Sequence, residues 1–156
     1  MADHPFAHGL RLQQEFFERG TASLTEADST FAPQPGLLSV AGHVAHAALT
    51  VEWFIAGGFS PAGFDLDFAA HEAHAREFTS LTAARARFAA AYGGAIAKFD
   101  ASTLAELHQL IAAGPIMGGA PRVALVSSLG DHTAHHRGAL AVYARLIGRV
   151  PAMPYA

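Results

Sequence analysis

Between residues 125 and 147 apolar side chains return every three or four positions, at Leu125, Leu129, Leu140, Tyr143 and Ile147, and His132 and His136 keep the same register. A period near 3.6 sustained over that length specifies an amphipathic helix with one face on a core. Two imidazoles one helical turn apart on that face look inward. A buried imidazole without a partner costs on the order of 1–3 kcal/mol, so two side by side need a shared cation or separate hydrogen bonds. Ordinary histidines bonded to backbone or water are the plainer reading, and a metal site is the sharper one.

The rest of the chain repeats the helical period. A first helix is expected from Phe6 to about Ala27, with Phe6, Leu10, Phe16, Phe17 and Leu24 on its apolar face. Two prolines and a glycine in Phe31-Ala32-Pro33-Gln34-Pro35-Gly36 make a loop. Ser39 is placed to cap a second helix from Val40 to about Ala56, with Gly57-Gly58 as its stop. A short acidic helix fits Phe68 to Glu77, and a third long helix fits Leu81 to Phe99, opened by Thr79 or Ser80. Gly93-Gly94 inside it calls for a kink or a close helix contact. Leu104 to Ile111 reads as a short helix, and Pro121 as the first position of the last helix, which Gly148 ends. No period-two alternation, hairpin signal or internal repeat is present. The fold class is therefore all-α, with four long helices, short extra helices in the connections, and a four-helix bundle as the economical architecture. One domain over residues 1–156 is expected from the length and the 51% hydrophobic composition.

A net charge of −3 without a basic cluster argues against nucleic acid or an anionic membrane as partner. No apolar run approaches the roughly 18 residues that span a bilayer, and the N-terminus lacks a signal-peptide pattern, so a cytoplasmic protein is expected. The chain has no cysteine, which leaves nitrogen and oxygen to hold any metal. Nine of its ten histidines are clustered: His4 with His8, His43 with His46, His71 with His74, then His132, His135 and His136.

Two imidazoles rarely make a tight site, so a third ligand must come from another helix. The second helix offers His43 and His46, about 60° apart on a helical wheel, and spacing does not choose between them. His46 shares its face with Gly42, Thr50 and Trp53, so Trp53 is either core or the wall of a pocket. His135 lies to the side of the seam, four residues from Asp131, as an outer-sphere pair or as a polar flank. His71 and His74 bracket Glu72 on what reads as a solvated face, and His4, His8 and His108 carry no role. The Gly114 to Ala120 segment is too apolar for a free linker and is expected to pack over the mouth of a site, with Met117 in it.

The segments Ser39-Val40-Ala41-Gly42-His43-Val44-Ala45-His46 with Thr50-Val51-Glu52-Trp53-Phe54, and Asp131-His132-Thr133-Ala134-His135-His136-Arg137-Gly138-Ala139-Leu140 with Val142-Tyr143-Ala144-Arg145-Leu146-Ile147-Gly148, carry a family resemblance. They resemble the second and last helices of the DinB/YfiT-like metalloenzyme family, and the likeness extends over most of the chain. It implies an up-down-down-up four-helix bundle, often a homodimer. It further implies a divalent metal on one histidine of the second helix and a His-x-x-x-His pair of the last, here His46, His132 and His136. His43 then falls at a non-ligand polar position, either as an outer partner of the ligating histidines or as an incidental residue. The family typically carries glutamine near the position of Ala139, a side chain missing here.

Three neutral imidazoles leave a divalent cation with open positions, as in catalytic sites, and nitrogen ligation suits zinc or nickel. Such a cation lowers the pKa of a water or thiol that it binds. The expected function is metal-dependent transfer, with a low-molecular-weight thiol as possible co-substrate, or hydrolysis of a small molecule. The rival is a non-catalytic bundle stabilised by metal or sensing it, or a plain interaction module. No catalytic residue beyond the triad is apparent.

Overall fold

Six α-helices make up the fold in the computed structural model, which describes residues 5–156: α1 (Pro5–Thr21), α2 (Val40–Phe59), α3 (Phe68–Arg76), α4 (Leu81–Asp100), α5 (Leu104–Leu107) and α6 (Leu125–Leu146). Among the described residues there is no strand, only an isolated bridge between Leu110 and Pro121. His4 lies outside them. No described helix is long and apolar enough to cross a membrane.

Several boundaries differ from the sequence expectation, each for a local reason. α1 stops at Thr21, whose hydroxyl turns back to the Phe17 carbonyl. Residues beyond it form a 3₁₀ turn, Glu26–Asp28, that serves the start of α4. There the Ser29 hydroxyl accepts from Leu81 N–H at 2.8 Å and the Glu26 carboxylate from Thr82 N–H at 2.7 Å, while Ser80 caps Ala83. These bonds satisfy amides that an α-helix leaves open. α2 opens as expected, with Ser39 Oγ accepting from Gly42 N–H. It then runs through Gly57-Gly58, because those glycines are contacts rather than a stop: a Cβ on Gly57 would stand 2.3 Å from the Phe64 ring and one on Gly58 2.5 Å from Leu125. The opposite holds at Gly93-Gly94, where α4 is continuous and a Cβ would meet nothing within 4 Å. α5 ends at Leu107, since Ile111 and Gln109 instead pair with Ala120 and Arg122 and close the following loop. Pro121 precedes a 3₁₀ turn, Arg122–Ala124, and α6 begins at Leu125.

α1 and α2 each pack on both α4 and α6. Phe17 of α1 stacks on Phe88 of α4 at 4.2 Å between centroids, and the Tyr92 hydroxyl of α4 reaches Thr133 of α6 at 3.0 Å. Thr133 gives its own proton to the Leu129 carbonyl. Burial holds the Tyr92 phenol neutral, its pKa pushed up to about 12. Arg11 pairs with Asp100 at the end of α4, whereas Arg85 near its start binds the Thr21 and Leu24 carbonyls. Glu52 pairs with Arg87, and Phe59 meets Phe99. Leu125, Leu129, His136, Leu140 and Tyr143 are all buried, so the seam of α6 does face the core.

Candidate metal centre

α2 and α6 bring four imidazoles together. One ring nitrogen from each of His46, His132 and His136 lies within 4.8 Å of the other two. The three rings are placed to hold a metal ion. His132 and His136 meet through their Nε2 atoms at 3.2 Å. Two nitrogens about 2.0–2.1 Å from one zinc at a tetrahedral angle stand about 3.3–3.4 Å apart, so this gap matches a shared cation. The His46 centroid is 5.3 Å from that of His132 and 4.9 Å from that of His136. His132 Nδ1 is buried with no hydrogen-bond partner, a polar atom that protein groups alone leave unsatisfied.

His43 stands behind this group. Its Nδ1 is 2.9 Å from His136 Nδ1, and its Nε2 is 3.2 Å from the Tyr143 hydroxyl, which donates to the Leu38 carbonyl at 3.2 Å. The order of protons along this chain follows from its end. A carbonyl only accepts, so Tyr143 spends its single proton on Leu38 and accepts from His43 Nε2–H. Neutral His43 then has a lone pair on Nδ1 and accepts from His136 Nδ1–H. Neutral His136 is left with its Nε2 lone pair facing His132, the form a cation requires.

Burial keeps these rings neutral. It pulls His132 and His43 down to about 4 and His136 lower still, with repulsion from the neighbouring imidazoles adding to the effect. His46 is lowered by burial as well, against a smaller opposing pull from the Glu72 carboxylate.

The other residues singled out above are arranged around the centre unevenly. Trp53 lines a cavity between α2 and α3 together with His46 and His132. Asp131 and His135 sit with His132 along a shallower groove that includes Ser127 and Ser128, and no bond joins Asp131 to His135. Met117 packs near the start of α6, where Ser128 Oγ donates to its sulfur at 3.4 Å, and it lines neither hollow. Most of α3 is exposed, His74 included, as expected, and His71 is the exception among its polar residues. His71 is half-buried, its Nε2 stands 3.2 Å from the Asp65 carboxylate, and with Glu72 it lines the cavity, because α3 packs back on α2. The three-and-four spacing of Phe68, His71 and Glu72 was a usable signal for that face. Tyr143 was legible only as a core residue, since its hydroxyl contacts depend on helix α2 lying opposite.

An all-helical protein with three convergent imidazoles where its second and last long helices meet is the class that this fold and site define. The chain belongs to the DinB family, whose model matches residues 11–156. No curated protein matches it.

Proposed function

We propose that the chain is a metal-dependent enzyme that transfers or hydrolyses a group on a small molecule at His46, His132 and His136, with zinc or nickel as the cation. The observation that carries this reading is the convergence of three neutral imidazole nitrogens within 4.8 Å. A divalent cation held by three protein ligands supplies a Lewis acid and lowers the pKa of a water or low-molecular-weight thiol presented to it. The chain's own part is to place donors and protons. His43 accepts a hydrogen bond from His136 Nδ1–H, Tyr143 orients His43, and Leu38 anchors Tyr143. An up-down-down-up four-helix bundle accounts for the pairings of Arg11 with Asp100, Arg85 with Thr21, and Phe59 with Phe99. A homodimer is part of the same reading, supported by Val142 and Leu146, which are 55% and 60% exposed one turn apart on α6.

Metal analysis of natively purified protein, repeated on His132→Ala, tests the centre. Near-stoichiometric metal is expected in the wild type and its loss in the variant; a metal-free, fully folded wild type rejects the site. Metal that only raises the melting temperature, with no turnover of thiol-plus-electrophile or ester substrates, assigns the centre to structure instead of catalysis. Light scattering at micromolar concentration reads the dimer.

A further inference from the structure

The cavity beside His46 and His132 has a volume of about 370 Å³, at the small end of the about 300–1,000 Å³ common for small-molecule sites. One wall is a single face of α2, in which Leu49, Thr50, Trp53 and Phe54 follow His46 at helical spacing. Phe68 of α3, 54% exposed, meets Trp53 edge-on at 6.0 Å between centroids and forms the rim. The space is an open cleft, and its lining sets it apart: aromatic and aliphatic side chains stand beside the imidazole cluster.

Its walls describe an occupant. The Trp53 indole is held in place, its Nε1–H donating to the Asp65 carbonyl at 2.8 Å and its ring packed at 4.6 Å from Phe64 and 5.1 Å from Phe54. A fixed indole flanked by phenyl rings accepts another ring by offset or edge contact. No lysine or arginine lines the space, and Glu72, which does, is bound at the rim by Arg76 at 2.6 Å. Carboxylates and phosphates are bound by such cations, and the guanidinium nearest the rim is already engaged by Glu72. Of the polar groups in the lining, Thr50 lies on the α2 wall and His71 and Glu72 come from α3, while His46 and His132 belong to the imidazole cluster.

We propose that the cavity binds a neutral, ring-bearing small molecule with one polar group, a hydroxyl, thiol or ester carbonyl, directed at His46 and His132. The substrate class is thus aromatic and uncharged rather than phosphorylated or carboxylate-bearing. Calling the molecule a substrate rests on the function proposed above; its binding does not.

Trp53 is the only tryptophan of the chain, so its emission reports on the cavity. The full-length protein is titrated with benzyl alcohol and with benzoate, as purified and again after chelation, with calorimetry as a second readout. Saturable binding of benzyl alcohol is expected in both states, and in the chelated protein, where no cation can hold a carboxylate, benzoate is expected at least tenfold weaker. Leu49→Phe, which fills the space, is expected to weaken benzyl alcohol at least tenfold at an unchanged melting temperature. Should that variant fail to fold, Phe68→Ala at the 54% exposed rim is expected to weaken it severalfold. No saturable response, equal affinity for benzoate after chelation, binding that vanishes with the metal, or a filled or opened cavity that binds as before would each overturn the proposal. A metal-free wild type in the preceding experiment leaves this result untouched, which keeps the two failures distinct.

Discussion

Tyr143→Phe removes the hydroxyl between the Leu38 carbonyl and His43, and with it the constraint that orders the protons on two imidazoles. The Leu38 carbonyl loses its donor at a cost of about 1 kcal/mol, a modest loss for a folded domain. The larger consequence falls on His136, which becomes free to carry its proton on Nε2. Outer partners of metal-ligating histidines are typically worth 10–100-fold in affinity, so about tenfold weaker metal binding is expected for Tyr143→Phe and up to about 100-fold for His43→Phe. Chelator competition measures both. Long-range proton–nitrogen NMR of the metal-free protein gives an independent check: wild-type His136 should carry its proton on Nδ1, and an Nε2–H tautomer would refute the relay. At this scale the α6 pair was legible in the sequence, since a seam of leucines gives two histidines a direction. Spacing alone did not give the role of His43, because a rotation of about 60° on a wheel does not say which ring meets a neighbouring helix end-on and which from behind; only the family resemblance set it among the outer partners.

Glycine pairs show how a local signal acquires its meaning from what packs against it. Gly57-Gly58 and Gly93-Gly94 are the same dipeptide in helix-forming surroundings, and propensity alone reads both as weak points. Leu125, fully buried, fills the space above Gly58, whereas the space above Gly93 is open. Gly58→Ala is therefore expected to destabilise by about 1–3 kcal/mol through overpacking, and Gly93→Ala to stabilise by about 0.5–1 kcal/mol through helix propensity. Denaturant unfolding of the two variants settles the contrast, and a stabilising Gly58→Ala would show that the α2–α6 approach is looser than 2.5 Å implies. Helix starts were legible wherever a side chain caps them, as at Ser39 and Ser80. Helix ends were less so, because α1 gives up its last expected turn to cap α4, a contact made across the chain.

At the scale of the whole molecule, the helical period and the lack of a strand pattern made the fold class legible, while the cavity needed α3 folded back on α2, a placement set by packing that no spacing states. The same packing surrounds four imidazoles with apolar helix faces, and this gives the folded state a pH dependence with a definite sign. His43, His46, His132 and His136 all have pKa values lowered from the usual 6.5, chiefly by burial. Below about pH 6.5 the unfolded chain takes up protons on these rings that the folded chain refuses, so stability is fully present above that pH and declines as pH falls. Lowered carboxylates such as Glu26 and Asp28 act in the same direction, but only near and below their ordinary values of 4.5 and 3.8. Between about pH 7 and pH 4.5 the slope thus belongs to histidine. The metal-free protein is expected to lose melting temperature steadily across that window, and a His43→Leu/His136→Leu variant to show a shallower decline. Bound metal steepens the wild-type slope, since a cation that binds only the folded, neutral rings adds a stabilisation that protons compete away. A melting temperature independent of pH over this range, or an equal slope in the double variant, would mean that the folded chain admits protons to the cluster freely.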